Sequence, residues 1–234
     1  MNSNTNPEST DYTSQNNATQ FDLKDCVLIA ISTGKSAGNL KEFRDHIISI
    51  GTDSLYYHFW GGLLQPRFEE REYNNDFASW VRHSLHDATL AEQLAVLDPT
   101  TVGDMEQLRL DMLENIEDRL DDSDYLQWVR ADRVFEFIRS QIVVFDTHVR
   151  VDRPAQLAEL VPNMSASSVF YHFIDARRRT DNRIDDFRAW LSNCGEQYTP
   201  LMENLAGIDP YFSTLTELRR NVAGAFQAFF QENG

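Results

Sequence analysis

The sequence predicts a mainly α protein: two tandem homologous units, each a short strand plus about five helices, packed as one pseudo-twofold domain. Three observations carry this expectation. First, Ser54-Leu55-Tyr56-Tyr57-His58-Phe59 recurs as Ser168-Val169-Phe170-Tyr171-His172-Phe173, and the same separation holds without a gap back to Phe21 and Phe135. Second, Asp76-Phe77-Ala78-Ser79-Trp80 recurs as Asp186-Phe187-Arg188-Ala189-Trp190, and Leu97-Asp98-Pro99 as Ile208-Asp209-Pro210, in the same order. Third, the apolar residues between these motifs recur at helical spacing.

In chain order, residues 1–20 are rich in Asn, Ser, Thr and Gln without apolar periodicity, and are expected to be a disordered tail. Residues 21–120 form the first unit. It opens on a short β-branched strand, Val27–Ser32, matched by Ile142–Asp146 in the second unit. A helix follows from near Asn39, with Phe43, Ile47 and Ile50 on its buried face. Its counterpart starts near Asp152-Arg153-Pro154, a helix-start signal. The Tyr-His-Phe helices are expected to start at Ser54 and Ser168, and the helices bearing Trp80 and Trp190 at Asp76 and Asp186, all good N-cap residues. Each Asp-Pro pair stops a helix, because the residue before proline is pushed out of the α region. Residues 121–134 are an acidic linker in which Trp128 is expected to dock onto the core, and residues 135–234 form the second unit. One strand per unit has no partner within its unit, so the two strands are expected to pair with each other.

Composition narrows the function. The chain has 234 residues, 41% of them hydrophobic, with Phe 15, Tyr 8 and Trp 4, enough for a sizeable core. Its net charge of −16 repels polyanions, which argues against nucleic acid and against an anionic membrane surface. No apolar run approaches the ~20 residues of a membrane span. The N-terminus has neither the basic start nor the apolar stretch of a signal peptide. Cys26 and Cys194 have no metal-binding or redox spacing. A cytoplasmic location is expected.

The segments TGKSAGNLKEFRDHI, SLYYHFWGGLLQPRFEE, YNNDFASWVRHSLHD, FIRSQIVVFDT and SVFYHFIDARRRTDNRIDDFRAWL resemble an uncharacterised prokaryotic family, domain-of-unknown-function family 5752. The resemblance covers essentially all of the chain after the tail. It implies no established activity, cofactor or catalytic residue.

Several residues invite a chemical reading. Gly34-Lys35-Ser36 follows a strand, but a phosphate loop would need glycine where Ile29 stands, so it is read as a polar strand-to-helix loop. His58 and His172, each with an Asp further along its unit, could form an acid–base or metal site. Their recurrence in both units favours a structural role. His83 and His86 are three apart on one helix face with no third ligand in view, so no metal and no cofactor is expected. Two features occur in only one unit. Arg177, Arg178 and Arg179, with Arg183, form a basic cluster in an acidic chain, and with His172 are the candidate anion-binding residues. Trp60, Leu63, Leu64 and Pro66 lie in an apolar, glycine-containing stretch and are the candidate patch for a protein partner.

Two functions remain open. One is a non-enzymatic interaction or regulatory module with another protein as partner. The alternative is a binder of, or enzyme acting on, an anionic small molecule such as a sugar phosphate. A concave pocket gathering the arginines and His172 would favour the second; arginines paired internally over a flat surface would favour the first.

Overall fold

A computed structural model describes residues 20–65, 72–101, 104–122, 125–180 and 182–232. The expected disordered tail falls almost wholly outside them. The fold is built on a ribbon of two antiparallel strands, β1 (Phe21–Ala37) and β2 (Phe135–Val151). Helices α1 (Leu40–Ser49), α2 (Thr52–Trp60), α3 (Asp76–His83), α4 (Ala88–Ala95) and α5 (Met105–Asp121) lie between the strands in sequence. After β2 come α6 (Ala155–Leu160), α7 (Ala166–Val169), a π-helical turn (Phe170–Asp175) and α8 (Ala176–Arg179). Helices α9 (Asp186–Leu191), α10 (Thr199–Ala206) and α11 (Leu215–Glu232) complete the chain.

This corrects the expected architecture. The fold is mixed α/β, not mainly α. Each strand runs 17 residues, far beyond the short apolar runs that marked them. The halves also differ, since α2 is one continuous helix whereas α7, the π turn and α8 divide the matching segment, so a pseudo-twofold pair of helical units does not describe the chain. The strands do pair with each other, Val27 opposite Val143 and Ile29 opposite Gln141. Their length escaped the sequence because one face of the ribbon meets water, so polar residues continue the ladder. Gly34-Lys35-Ser36 lies within β1, not in a loop. It sits at a shift in register where Gly34 takes φ +73°, left-handed backbone that glycine adopts without Cβ strain. A second register shift lies opposite Leu23, where Thr147 Oγ1 donates to the Leu23 carbonyl at 2.6 Å.

The two strand starts plug into opposite ends of the core. Phe135 packs among His58, Phe77 and Trp80, with ring centroids 4.7, 5.4 and 5.5 Å away. Phe21 packs among His172, Phe187 and Trp190, at 4.9, 5.2 and 5.5 Å. Each strand thus fills the core laid down by helices from the other half of the sequence, and one contiguous cluster results.

Capping fixes where helices begin. Asn39, Asn75, Asp87, Asp104, Ser165 and Asp185 each accept from the backbone N–H three residues on. Asp76 and Asp186 are therefore the first residues inside their helices, not the caps. Ser54 and Ser168 likewise lie inside α2 and α7, where their hydroxyls donate to the Ile138 and Lys24 carbonyls, both at 2.8 Å. Trp128 does not dock: it is 75% exposed on a turn at Leu126–Trp128. Backbone bonds hold the linker instead, from Ala131 N to the Gly38 carbonyl and from Asp132 N to the Ser84 carbonyl, both at 2.9 Å.

Candidate functional site

Tyr56 and Trp60 are four apart on α2 and share one face of it. Across from them, the π turn and the segment after it supply Ile174, Arg177, Arg178, Thr180 and Arg183. Pro99, Thr100, Asp104 and Met105, between α4 and the start of α5, close the third side. The cavity between them, open to solvent on its remaining side, holds about 220 Å³. It joins Trp60 of the apolar stretch to three arginines of the basic cluster, residues that the sequence offered as two separate sites.

The arginines are held differently. Asp175, 1% exposed, is the hub. Its Oδ1 accepts from the Tyr56 hydroxyl at 3.1 Å and from Arg178 Nη2 at 2.9 Å, and its Oδ2 from Arg179 Nε at 2.9 Å. The Arg178 guanidinium also lies over the Tyr56 ring, 4.7 Å from its centroid. Burial, and then the Asp175 charge, push the Tyr56 phenol well above its ordinary range, so Tyr56 is a neutral donor. Arg179 turns away from the cavity, stacking on Tyr171 at 3.9 Å and bonding Asp186 Oδ2 at 3.0 Å.

Arg177 differs from both. Its Nε and Nη2 are buried with no acceptor from the protein among the described residues. The Phe173 ring beneath it, 5.2 Å away, offers only its π face. Asp185 bears on it electrostatically, but that carboxylate is taken by the Arg188 side chain and backbone N–H. Burial lowers the Arg177 guanidinium below its ordinary range, the sign for a cation withdrawn from water. Leaving a buried donor unpaired costs about 1–3 kcal/mol, and more when it is charged. Arg183, exposed at the rim, holds φ +53°, uncommon for a residue with a Cβ.

His172 is not part of this cavity. Its Nε2 accepts from Lys24 N at 2.9 Å and its Nδ1 bonds Asp186 Oδ2 at 2.8 Å. His58 makes the matching pair, with Ile138 N at 3.0 Å and Asp76 Oδ2 at 3.0 Å. A backbone N–H only donates, so each Nε2 accepts and each Nδ1 carries the proton given to Asp. Both ring nitrogens are occupied, which leaves no lone pair for a metal or a substrate proton. Each His instead pins a helix to the ribbon.

Of the apolar stretch, Trp60 is 4% exposed, packed against Tyr211, and Leu63 and Leu64 are half-buried against the core. Pro66 lies outside the described residues. His83 pairs with Glu72 and His86 with Asp132, and no metal-ligating trio converges among the described residues. Cys26 is buried with its thiol pushed up to about 12, chiefly by desolvation, so it is a poor nucleophile. Sequence reasoning missed Tyr56 and Asp175 as site residues. A signal existed: Asp175 precedes Arg178 and Arg179 by three and four positions, the spacing of helical ion pairs.

Comparison with known proteins bears on the fold and the family. Residues 18–227 match the model of a family of unknown function, DUF5752. The chain belongs to DUF5752. OrfY from Thermoproteus tenax has a similar structure, with a TM-score of 0.78 at 24% identity over 91% of this chain and 96% of that one. At that identity the likeness speaks for the fold. No curated protein matches. Within DUF5752, activity has to be argued from the site itself. No helix among the described residues is long and apolar enough to cross a membrane.

Proposed function

We propose that the protein binds a small anionic metabolite in the cavity between α2 and the Arg177–Arg183 segment. One observation carries this reading: Arg177, a cavity-lining guanidinium, has two buried nitrogens that no acceptor among the described residues satisfies. Buried charges are ordinarily paired, and a carboxylate or phosphate in the cavity would supply the partner. Arg178 is already balanced by Asp175 and serves as a second, preset donor. Trp60, Met105 and Ile174 give the ligand's uncharged part an apolar wall. The separation of His172 from Arg177, Arg178 and Arg183 removes the acid–base group that catalysis in the cavity would have used, so the reading is binding, in a cytoplasmic protein.

Thermal unfolding of the full chain against a panel of carboxylates, sulfate and phosphorylated metabolites tests this. A ligand at a hundredfold excess over its Kd stabilises by about 2.7 kcal/mol, which is roughly 5–10 °C for a chain of this size. The shift should disappear in Arg177→Gln. A panel without any shift would sink the reading.

A second reading, a module that docks on another protein, draws on different residues. Val27, Ile29 and Phe145 stand exposed on the ribbon. Substituting all three by Ser should abolish capture of a partner while sparing the thermal shift; unchanged capture would reject it.

A further inference from the structure

We infer that the cavity selects a phosphate monoester of a small molecule over a carboxylate. The inference rests on the anion-binding reading above and adds the ligand class. Charge counting around the cavity is its basis. Three guanidinium groups line it, Arg177, Arg178 and Arg183, against one carboxylate, Asp104. Asp104 is engaged as the cap of α5, accepting from Gln107 N at 2.8 Å. Arg178 is neutralised by Asp175 at 2.9 Å. Arg177 and Arg183 remain: neither makes an ion pair with a described residue, and Asp185, Asp98 and Asp209 act on Arg177 only from beyond ion-pair distance. Two cations without a direct partner match a dianion whose charge is gathered on one group; a monocarboxylate would leave one of them unanswered, and a dicarboxylate such as malate would set its second charge against the apolar wall of Trp60, Met105 and Ile174. A phosphate monoester carries a charge of about −1.5 to −2 at neutral pH and three acceptor oxygens, suited to guanidinium forks from two directions.

The remainder of the ligand follows from the walls and the volume. Trp60, Met105 and Ile174 are apolar, so inorganic phosphate alone would leave them uncovered. At about 220 Å³, the cavity is smaller than the ~300–1,000 Å³ of pockets for drug-sized ligands. That is too small to enclose a nucleotide and fits a single ring or a short chain bearing one phosphate. The left-handed backbone of Arg183, closed by a 3.0 Å bond from its N–H to the Thr180 carbonyl, holds this exposed residue in the cavity lining with Arg177. A strained rim residue bearing the needed charge is the kind of outlier that functional sites retain.

Calorimetric titration of the full chain tests this with glucose 6-phosphate, glycerol 3-phosphate, glucose, malate and inorganic phosphate at pH 7.5 and 5.0. At least one monoester should bind, about tenfold or more tighter than glucose, malate or inorganic phosphate. Its affinity should drop several-fold at pH 5.0, because the second phosphate pKa of about 6 is crossed while the arginines stay charged. Arg183→Gln, an exposed change that keeps the fold, should weaken it about tenfold. Malate binding as tightly as either monoester, or monoester affinity unmoved at pH 5.0, overturns the phosphate inference and leaves the anion reading intact. Inorganic phosphate binding as tightly as either monoester overturns the organic part of the inference alone. If no probe binds, or binding is indifferent to both Arg177→Gln and Arg183→Gln, both readings fall.

Discussion

Helix α2 and the segment Ala166–Arg179 carry the same Tyr-His-Phe triplet and use it alike, yet they end in opposite ways. In both, a serine hydroxyl and a histidine Nε2 grip the backbone of a strand from the other half of the sequence. Past the triplet, α2 ends at Trp60, and the chain turns through Gly61 beneath the Tyr57 ring. In the other segment the triplet itself lies within the π turn; past it Asp175 is drawn into the core, and three arginines follow. One end is sealed by apolar packing; the other carries charge to the cavity wall. The shared part serves the fold, and the unshared part builds the candidate site. A π turn inserts one residue into the helical count, which re-aims everything after it, and such turns are frequent at functional sites.

The comparison can be broken most decisively at the histidines. His58→Ala and His172→Ala should each cost about 3 kcal/mol, since each leaves a strand N–H without its acceptor and opens a cavity. Urea denaturation measures both, and costs differing by more than about 1.5 kcal/mol would mean that the two pins are not equivalent. Next comes Asp175→Asn, which keeps the shape and removes the charge shared by Arg178 and Arg179. We expect a loss of about 2 kcal/mol, below the value for a wholly buried pair because both guanidinium groups reach solvent. The same denaturation reads it, and a neutral result would deny Asp175 its role as hub. Gly61→Ala tests the sealed end, where an added Cβ would stand 2.8 Å from Tyr57 Cδ2. Overpacking there should cost about 1–2 kcal/mol in urea midpoint analysis, whereas Ala at Gly224, with no atom within 4 Å, should cost nothing.

The smallest effect is a pH dependence centred on Cys26, beside the π-bearing segment. Cys26 bonds the Ser167 carbonyl at 3.4 Å, and its thiol is raised from 9.0 to about 12. Between those values the unfolded chain loses this proton while the folded chain keeps it, so stability falls as pH rises from 9.0 toward 12. Urea midpoints at pH 8 and pH 10 should converge partly in Cys26→Ala; an unchanged pH slope would assign the effect to the other groups raised in the same direction, Tyr56, Tyr73, Tyr171 and Cys194.

Much of this was legible in the chain itself. The recurring Ser, Tyr-His-Phe and Asp-Phe-Trp residues turned out to be those that touch the strands and fill the core, because local spacing already places them on one helix face. The Asp-Pro stops and the basic cluster were also plain. Helix starts slipped by one to three residues because several polar candidates stood side by side and only backbone geometry chooses among them. Strand length slipped further, because a ribbon with one face in water has no continuous apolar signature.

What the sequence by itself determined is which residues repeat, which helices they build, and which arginines stand apart. What only the tertiary structure decided is company. Tyr56 and Trp60 meet Arg177 and Arg178 because two strands more than a hundred residues apart in sequence pair antiparallel, folding the two helical stretches onto one cavity. Likewise, Asp175 takes up Arg178 while Asp185 is claimed by Arg188. That sharing of carboxylates leaves Arg177 without an ion-pair partner among the described residues, and it follows from three-dimensional distance, which no spacing along the chain encodes.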